Sequence, residues 1–328
     1  FATVPRLLER VYEKIIKEGT ALEGWKKKLF FKSVNIAEKS TLGKPTSILN
    51  QMQLKIANKL VFSKWREALG GNIKAIICGS APLQPRLATV FTNAGIPILE
   101  GYGLTECSPV ISVVPFRKQE FRAGCVGKLL PSVHVKLAED GEILVKAPNV
   151  MLGYYKNEAE TAKVFDAERW LLTGDIGEFT KEGYLKITDR KKELFKTSGG
   201  KYVAPSPIEN KLKESFLIEQ IALQGDGEKY ISALIIPNFE NLKEWAQNQA
   251  ISFLSNDDLL ENQHIKQLYK DIITEFNVNF GKVEQIKQFE LLADEWTVEN
   301  GLLTATMKLK RKKLKEKYAH IIKSFYHK

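Results

Sequence analysis

Between residues 72 and 100 the hydrophobic period changes, and that change limits the fold more than any other stretch of the chain. Ile73-Lys74-Ala75-Ile76-Ile77-Cys78 is a short apolar run bounded by turn residues, the pattern of a buried strand. It ends in a turn, Gly79-Ser80-Ala81-Pro82; a helical stretch follows, and then a second strand at Ile96-Pro97-Ile98-Leu99. Strand, crossover helix and strand predict a parallel βαβ unit. In such sheets ligands bind beyond the carboxyl ends of the strands. Two glycine-rich turns, Gly79-Ser80 and Gly101-Tyr102-Gly103, are expected at that edge.

Upstream, residues 1 to about 70 read as mostly helical, with Leu7, Leu8, Val11, Tyr12, Ile15 and Ile16 at helical spacing and Gly19, Gly43-Lys44-Pro45 and Gly70-Gly71 as punctuation. Downstream, residues 125–190 read as antiparallel strands. Val133, Val135 and Leu137 alternate, Asp140-Gly141 makes a hairpin turn, and a second hairpin turns at Lys181-Glu182-Gly183. The charged run Asp189-Arg190-Lys191-Lys192 marks a domain boundary. Beyond it, Ser206-Pro207-Ile208-Glu209 reads as a helix start capped by Ser206. Residues 218–223 and 230–236 read as strands joined by Gly225-Asp226-Gly227, and a further strand is expected near 289–292.

At 328 residues, 44% of them apolar, the chain can bury the cores of a large and a small domain without covalent staples. No run of about 18 uncharged apolar residues is present, so no transmembrane helix is expected. The opening Phe1-Ala2-Thr3-Val4-Pro5-Arg6 does not read as a signal peptide; it reads as the interior of a longer protein. Three cysteines without a CxxC, Cys78, Cys107 and Cys125, give no disulfide framework or zinc site and point to a reducing cytosol. The net charge of +10 is concentrated in residues 301–328, which hold nine Lys/Arg against one Glu. A solvated helix face accounts for this, with attraction of a polyphosphate ligand or peripheral contact with anionic lipid as the sharper readings. Nucleic acid is not an expected partner, since no zinc finger, RNP-type aromatic pair or basic zipper accompanies the charge.

The segment richest in chemistry is Glu100-Gly101-Tyr102-Gly103-Leu104-Thr105-Glu106. Its glycines admit a close backbone approach, Tyr102 offers a flat face for a base, Thr105 a hydroxyl for a phosphate oxygen, and Glu106 a hard oxygen for Mg²⁺. Thr173-Gly174-Asp175 places a carboxylate on a turn, where it can accept both hydroxyls of a ribose. The run 189–196 joins basic residues to the glycine pair Gly199-Gly200, and Gly301-Leu302-Leu303-Thr304-Ala305-Thr306-Met307-Lys308 puts a lysine after a turn.

In this order and spacing these segments resemble the adenylate-forming superfamily, which includes acyl-CoA synthetases, firefly luciferase and peptide-synthetase adenylation domains. The likeness is strongest to bacterial long-chain fatty-acyl-CoA ligases and extends to Val4-Pro5-Arg6, Cys78-Gly79-Ser80-Ala81-Pro82-Leu83 and Glu299-Asn300-Gly301. The resemblance implies an α/β chain in which residues 1–188 are the C-terminal part of a large domain, 189–192 a hinge, and 193–328 a small, mobile α+β domain. It implies ATP, Mg²⁺ and coenzyme A as cofactors, a fatty acid as substrate, and acyl transfer through an acyl-adenylate. Acyl carrier protein is the alternative thiol acceptor, and a non-catalytic basic module the alternative of another class.

By the same resemblance, Gly101, Tyr102 and Gly103 line the adenine and the acyl carbonyl, with Gly79, Ser80, Ala81 and Leu104 among the cofactor-binding residues. Thr105 binds the α-phosphate, Glu106 the metal, and Asp175 with Arg190 the ribose. Lys308 bridges carboxylate and phosphate, Lys192 is the hinge, and Lys196 with Gly199 and Gly200 meets the pantetheine thiol in the second step. Cys107, where relatives often carry Thr, is expected to be a small buried residue and no nucleophile. The family's Ser/Thr/Gly-rich phosphate loop belongs upstream of this segment, so the 328 residues alone are expected to adenylate poorly.

Overall fold

The structure, a computed structural model, describes residues 1–41, 47–117, 120–305 and 307–326; the Gly43-Lys44-Pro45 punctuation and Thr306 lie outside them. The chain divides into two compact units, Phe1–Ile187 and Thr188–Lys328.

The first unit opens with a two-residue strand, β1 (Ala2–Thr3), and then helices α1 (Pro5–Thr20), α2 (Gly24–Lys39) and α3 (Ile48–Ala57). A π-helical turn at Asn58–Phe62 leads from α3 into α4 (Ser63–Ala68). Pro5 occupies the first turn of α1, where its missing N–H costs nothing. The crossover unit follows as β2 (Ile76–Cys78), α5 (Pro85–Asn93) and β3 (Ile98–Gly103). β1, β2 and β3 are parallel, with Ala2 opposite Ile77 and Ile76 opposite Ile98. Tyr12, Phe30, Phe62, Trp65 and Phe91 pack together between the helices and this sheet.

The sheet continues antiparallel through β4 (Val110–Val113) and β5 (Lys128–Leu129). Here the structure corrects the sequence reading: Gly101-Tyr102-Gly103 is not a turn but the end of β3, paired with β4. The reason is steric. A Cβ on Gly103 would lie 1.8 Å from the Pro109 carbonyl oxygen, so only glycine lets the strands approach this closely.

A second sheet holds β6 (His134–Leu137), β7 (Glu142–Lys146), β8 (Leu171–Phe179) and β9 (Leu185–Arg190) in that spatial order, with the short helix α6 (Glu158–Lys163) between β7 and β8. Gly141 and Gly183 take the two hairpin turns with φ of 82° and 79°. Thr173-Gly174-Asp175, expected on a turn, is instead a bulge inside β8: Leu144 faces Leu172 while Glu142 faces Ile176. β9 runs on through the charged Asp189 and Arg190 instead of ending before them.

The second unit begins with the hairpin β10 (Phe195–Lys196) and β11 (Tyr202–Val203), followed by α7 (Pro205–Leu212). Ser206 is not the cap of α7: Ala204 holds that position, and Ser206 is inside the first turn. The buried Asp189 carboxylate accepts from both the backbone N–H and the hydroxyl of Ser206, at 3.1 and 3.0 Å, so an acidic side chain from upstream does the capping. The central sheet pairs β12 (Ile218–Gln224) antiparallel with β13 (Ile231–Pro237). Helices α8 (Phe239–Asn248), α9 (Asn256–Glu261) and α10 (Gln263–Asn277) precede β14 (Ile286–Leu291), which is parallel to β13.

The last helices are α11 (Arg311–Lys317) and α12 (Ala319–Tyr326). Alternation along β13 explains the layering. Ile231, Ala233 and Ile235 join the cluster containing Ile208, Leu242 and Tyr269, while Leu234 and Ile236 join Trp296, Leu314, Tyr318 and Phe325. The basic C-terminal segment is therefore the outer face of helices whose inner face, Leu314, Tyr318, Ile322 and Phe325, is buried. Among the described residues no helix is long and apolar enough to cross a membrane.

Candidate functional site

The bulge in β8 builds the first half of the site. Thr173 Oγ1 donates to the Ile143 carbonyl at 2.8 Å and accepts from the Asp175 N–H at 3.1 Å. The Gly174 N–H donates to Glu142 Oε1 at 2.9 Å, with Gly174 at φ 70°. These bonds turn the Asp175 carboxylate toward β3, where the Tyr102 hydroxyl donates to its Oδ2 at 2.8 Å. Asp175 is buried. Burial, reinforced by the Asp175 charge, pushes the Tyr102 phenol far above its usual range, so Tyr102 stays a donor at any physiological pH. Two sequence-predicted residues 73 positions apart are thus brought into direct contact.

The second half is the turn after β3. Thr105–Cys107 forms a single 3₁₀ turn. The Leu104 N–H donates to the Pro109 carbonyl at 2.8 Å, and Asn149 Nδ2 donates to the carbonyls of Cys107 and Val110. Thr105 is exposed on this turn, and Glu106 is half-buried. Glu106 Oε1 accepts from the Tyr154 hydroxyl at 2.9 Å, and its carbonyl accepts from the Met151 N–H at 2.7 Å. The hydrogen bond to Glu106 raises the Tyr154 phenol. A carboxylate with one oxygen oriented this way keeps lone pairs for a cation.

Cys107 is fully buried, and its thiol is pushed up to about 11, first by burial and then by Glu106, so it is protonated at neutral pH. Gly79 sits beside this strand end: a Cβ there would be 3.8 Å from the Gly101 carbonyl oxygen. Ser80, at φ 70°, and Ala81 continue the loop. The Leu83 N–H, at the end of that loop, donates to the buried Glu100 carboxyl, tying the loop to β3.

The remaining candidates are in the second unit. Arg190 is exposed, its N–H donating to Asp189 Oδ1 at 2.6 Å, and Lys192 is exposed in the turn that follows. Lys196 lies over the Tyr202 ring, 5.4 Å from its centroid, across the β10–β11 hairpin whose turn holds Gly199 and Gly200. Lys308 ends a tight turn: its N–H donates to Thr304 Oγ1 at 3.0 Å and its carbonyl accepts from the Thr304 N–H at 2.8 Å. Three residues on, Arg311 anchors the segment through two 2.8 Å bonds to Glu209.

Sequence reasoning missed Tyr154, Asn149 and Glu142, which hold the candidate residues without showing a motif of their own. Tyr154 and Asn149 lie in aperiodic loops and Glu142 is the first residue of β7, so no local signal marks them. Among the described residues no three His, Cys, Asp or Glu side chains cluster as a metal cage. A cation at Glu106 would draw its other ligands from phosphate oxygens and water, as Mg²⁺ commonly does.

Residues 1–155 match the AMP-binding enzyme family, and residues 193–328 match the AMP-binding enzyme C-terminal domain. The chain is 36% identical over 331 residues to the long-chain-fatty-acid–CoA ligase FadD15 of Mycobacterium bovis, covering 99% of this chain and 54% of that protein. It is 35% identical over 342 residues to long-chain-fatty-acid–CoA ligase 6 of Rattus norvegicus, covering 99% of this chain and 48% of that one. Among solved structures it is similar to the adenylation domain of a carboxylate reductase from Mycobacterium chelonae, with a TM-score of 0.71 and 25% identity, over 100% of this chain and 46% of that chain. An adenylation–carrier didomain of a carboxylic acid reductase from Segniliparus rugosus in complex with AMP gives a TM-score of 0.69 at 25% identity, over 99% of this chain and 41% of that chain. The chain belongs to the AMP-binding, adenylate-forming enzymes. It spans about half the length of the curated relatives it matches.

Proposed function

We propose that this chain supplies the adenosine grip and the small domain of an ATP-dependent long-chain fatty acid–CoA ligase. The observation that carries the reading is the hydrogen bond between Tyr102 and Asp175, which brings two motifs like those of adenylate-forming enzymes into contact, in a chain 36% identical to FadD15. In the first half-reaction a fatty acid carboxylate attacks the α-phosphate of ATP, forming acyl-AMP and releasing pyrophosphate. In the second, the thiol of coenzyme A attacks the acyl carbon and AMP leaves.

Asp175, already oriented by Tyr102, accepts from the ribose hydroxyls, and Arg190 donates to a ribose oxygen. The Thr105 hydroxyl donates to an α-phosphate oxygen. Both reactants of the first step are anionic, so cationic groups have to be placed where their charges crowd. Lys308 supplies one such charge. Mg²⁺, when bound at Glu106, supplies the other by neutralising phosphate oxygens. The exposed Lys192 acts as the hinge that exchanges Lys308 for the Lys196–Gly200 hairpin between steps. Glu106 would give Mg²⁺ a single carboxylate, with phosphate oxygens and water completing its ligands, and the names of the relatives favour coenzyme A over acyl carrier protein as acceptor.

Two assays test this. A longer polypeptide that includes the preceding half is given palmitate, ATP, Mg²⁺ and coenzyme A; palmitoyl-CoA with stoichiometric AMP is expected. Acyl transfer only to carrier protein, or none, overturns the reading. The 328-residue chain alone, given palmitate and Mg·ATP, is expected to form acyl-AMP poorly.

A further inference from the structure

The first unit leaves one apolar helix face uncovered. Ile48, Leu49, Met52, Ile56 and Leu60 are 78, 64, 58, 52 and 49% exposed. Four of them recur every fourth residue, so they form a stripe along α3 and the π-helical turn after it. The opposite side of the same segment is used: Ala57, Val61 and Phe62 are buried in the core, with Leu54 packed against it. The helix is therefore anchored by one face and presents the other.

The exposed face is not purely apolar. Lys55 and Lys59 lie on it, Lys64 follows a turn later, and no acidic residue occurs from Ser47 to Arg66. α2, which packs against α3, adds exposed Lys26, Lys27, Lys28 and Lys32, and carries Trp25, 70% exposed, in its first turn. Seams between protein surfaces are poor in lysine. Apolar residues fringed by lysines, with an aromatic nearby, fit the interface of a negatively charged bilayer instead. The basic C-terminal segment offers mainly charge, because Leu314, Tyr318, Ile322 and Phe325 are already in the core and Met307 alone among its described large apolar residues is half exposed.

We infer that the Ile48–Leu60 face docks on an anionic phospholipid surface, its apolar residues entering the headgroup boundary and Lys55 and Lys59 meeting lipid phosphates. This holds whether or not the ligase reading does, since no nucleotide-binding residue takes part.

The test is co-sedimentation of the 328-residue chain with vesicles of phosphatidylcholine alone or with about three parts in ten phosphatidylglycerol. Partition onto the anionic vesicles should exceed that onto neutral ones by about tenfold or more. Lys55→Glu with Lys59→Glu should lower it by at least about fivefold for each lysine. Met52→Glu with Ile56→Glu should abolish it; circular dichroism and the thermal transition should not change, because both positions are exposed. Should that pair disturb folding, Met52→Gln alone should still weaken binding. Lys312→Glu with Lys315→Glu on α11 should leave binding within about twofold.

Any of four results overturns the inference: equal partition on neutral and anionic vesicles; loss of binding through the α11 change but not the α3 change; a dimer, seen by light scattering, that the Met52/Ile56 change dissolves while vesicle binding persists; or no binding by a longer polypeptide with the preceding half, because other residues of the protein then cover the face.

Discussion

Replacing Arg311 with methionine isolates one buried interaction and reports on the ground beneath Lys308. The guanidinium donates through Nη1 and Nη2 to the two oxygens of Glu209, each at 2.8 Å, and through Nε to Glu193 at 3.3 Å. Glu209 also accepts from the Leu223 N–H at 2.8 Å, and its side chain is only 7% exposed. Methionine keeps the stem and removes the charge, leaving the Glu209 carboxylate buried with one donor. Breaking a buried pair by removing one partner costs about 3–5 kcal/mol. The Arg311 side chain is 22% exposed and Glu193 30%, so water softens the loss and the lower end, about 3 kcal/mol, is expected. That corresponds to about 150-fold faster exchange of the amides that open only when the second unit unfolds.

Hydrogen exchange read on peptides from β12 and β13 measures this directly, without assuming that the two units unfold together. Adding Glu209→Met to Arg311→Met removes the stranded charge, so the double variant should exchange more slowly than the single Arg311 variant. An increase below about twofold for Arg311→Met would refute the reasoning, because it would place the pair with exposed ion pairs worth under 1 kcal/mol.

Gly103→Ala should destabilise the first unit by about 3 kcal/mol, since its Cβ meets backbone atoms that cannot rotate away, whereas Gly199→Ala, with its nearest neighbour 4.0 Å off, should cost the second unit under about 1 kcal/mol; exchange in β3 and β4 reads the first change and exchange in β12 and β13 the second. In the longer polypeptide, Glu106→Ala should lower Mg·ATP-dependent turnover about a hundredfold or more, and near-normal rates would remove Glu106 from the metal role. Tyr154→Phe, which removes the bond orienting Glu106, should raise the Mg²⁺ concentration for half-maximal turnover about tenfold, with excess Mg²⁺ restoring the rate. Burial pushes the Glu100 carboxyl from 4.5 up to about 8, so between those values the folded chain holds a proton that the unfolded chain has lost. The Glu100 contribution to stability should therefore be complete below about 4.5 and decline as the pH rises toward 8, and Glu100→Gln should flatten that decline in a denaturation series.

The strand at 76–78 and the start of the next, at 98–99, were readable because each lies in a short apolar run closed by small residues. The strands 218–224 and 231–237 were readable for the same reason, with Gly225 and Gly227 between them. The states of Gly101–Gly103 and Thr173–Asp175 were not. A glycine reads alike in a turn and in a bulged strand; only the partner strand, here β4 and β7, decides, and it is distant in sequence. The cap of α7 was misread for a related reason, since Ser206 has every local mark of a cap while the group that bonds its N–H is Asp189, 17 residues upstream. The candidate residues could be named from sequence because their side-chain types stand in spaced motifs, and the structure adds the contact between Tyr102 and Asp175. Tyr154 and Asn149 could not, because a phenol or an amide in an aperiodic loop carries no trace of what it will touch.

Gly103 and Gly127 bracket β4: a Cβ on the first would overlap Pro109, and one on the second would lie within 2.0 Å of Val113 backbone atoms. Each position is closed to every other amino acid by the space available, whatever ligand the protein takes. Across related sequences both should therefore remain glycine even where the chemistry has diverged or been lost. Their persistence would record how tightly three strands are drawn together, and a substrate inferred from an unvarying Gly103 would be inferred from carpentry. Thr105 and Glu106, on the turn just beyond, are under no such geometric ban, so their retention or loss is the better guide to what descendants of this fold still do.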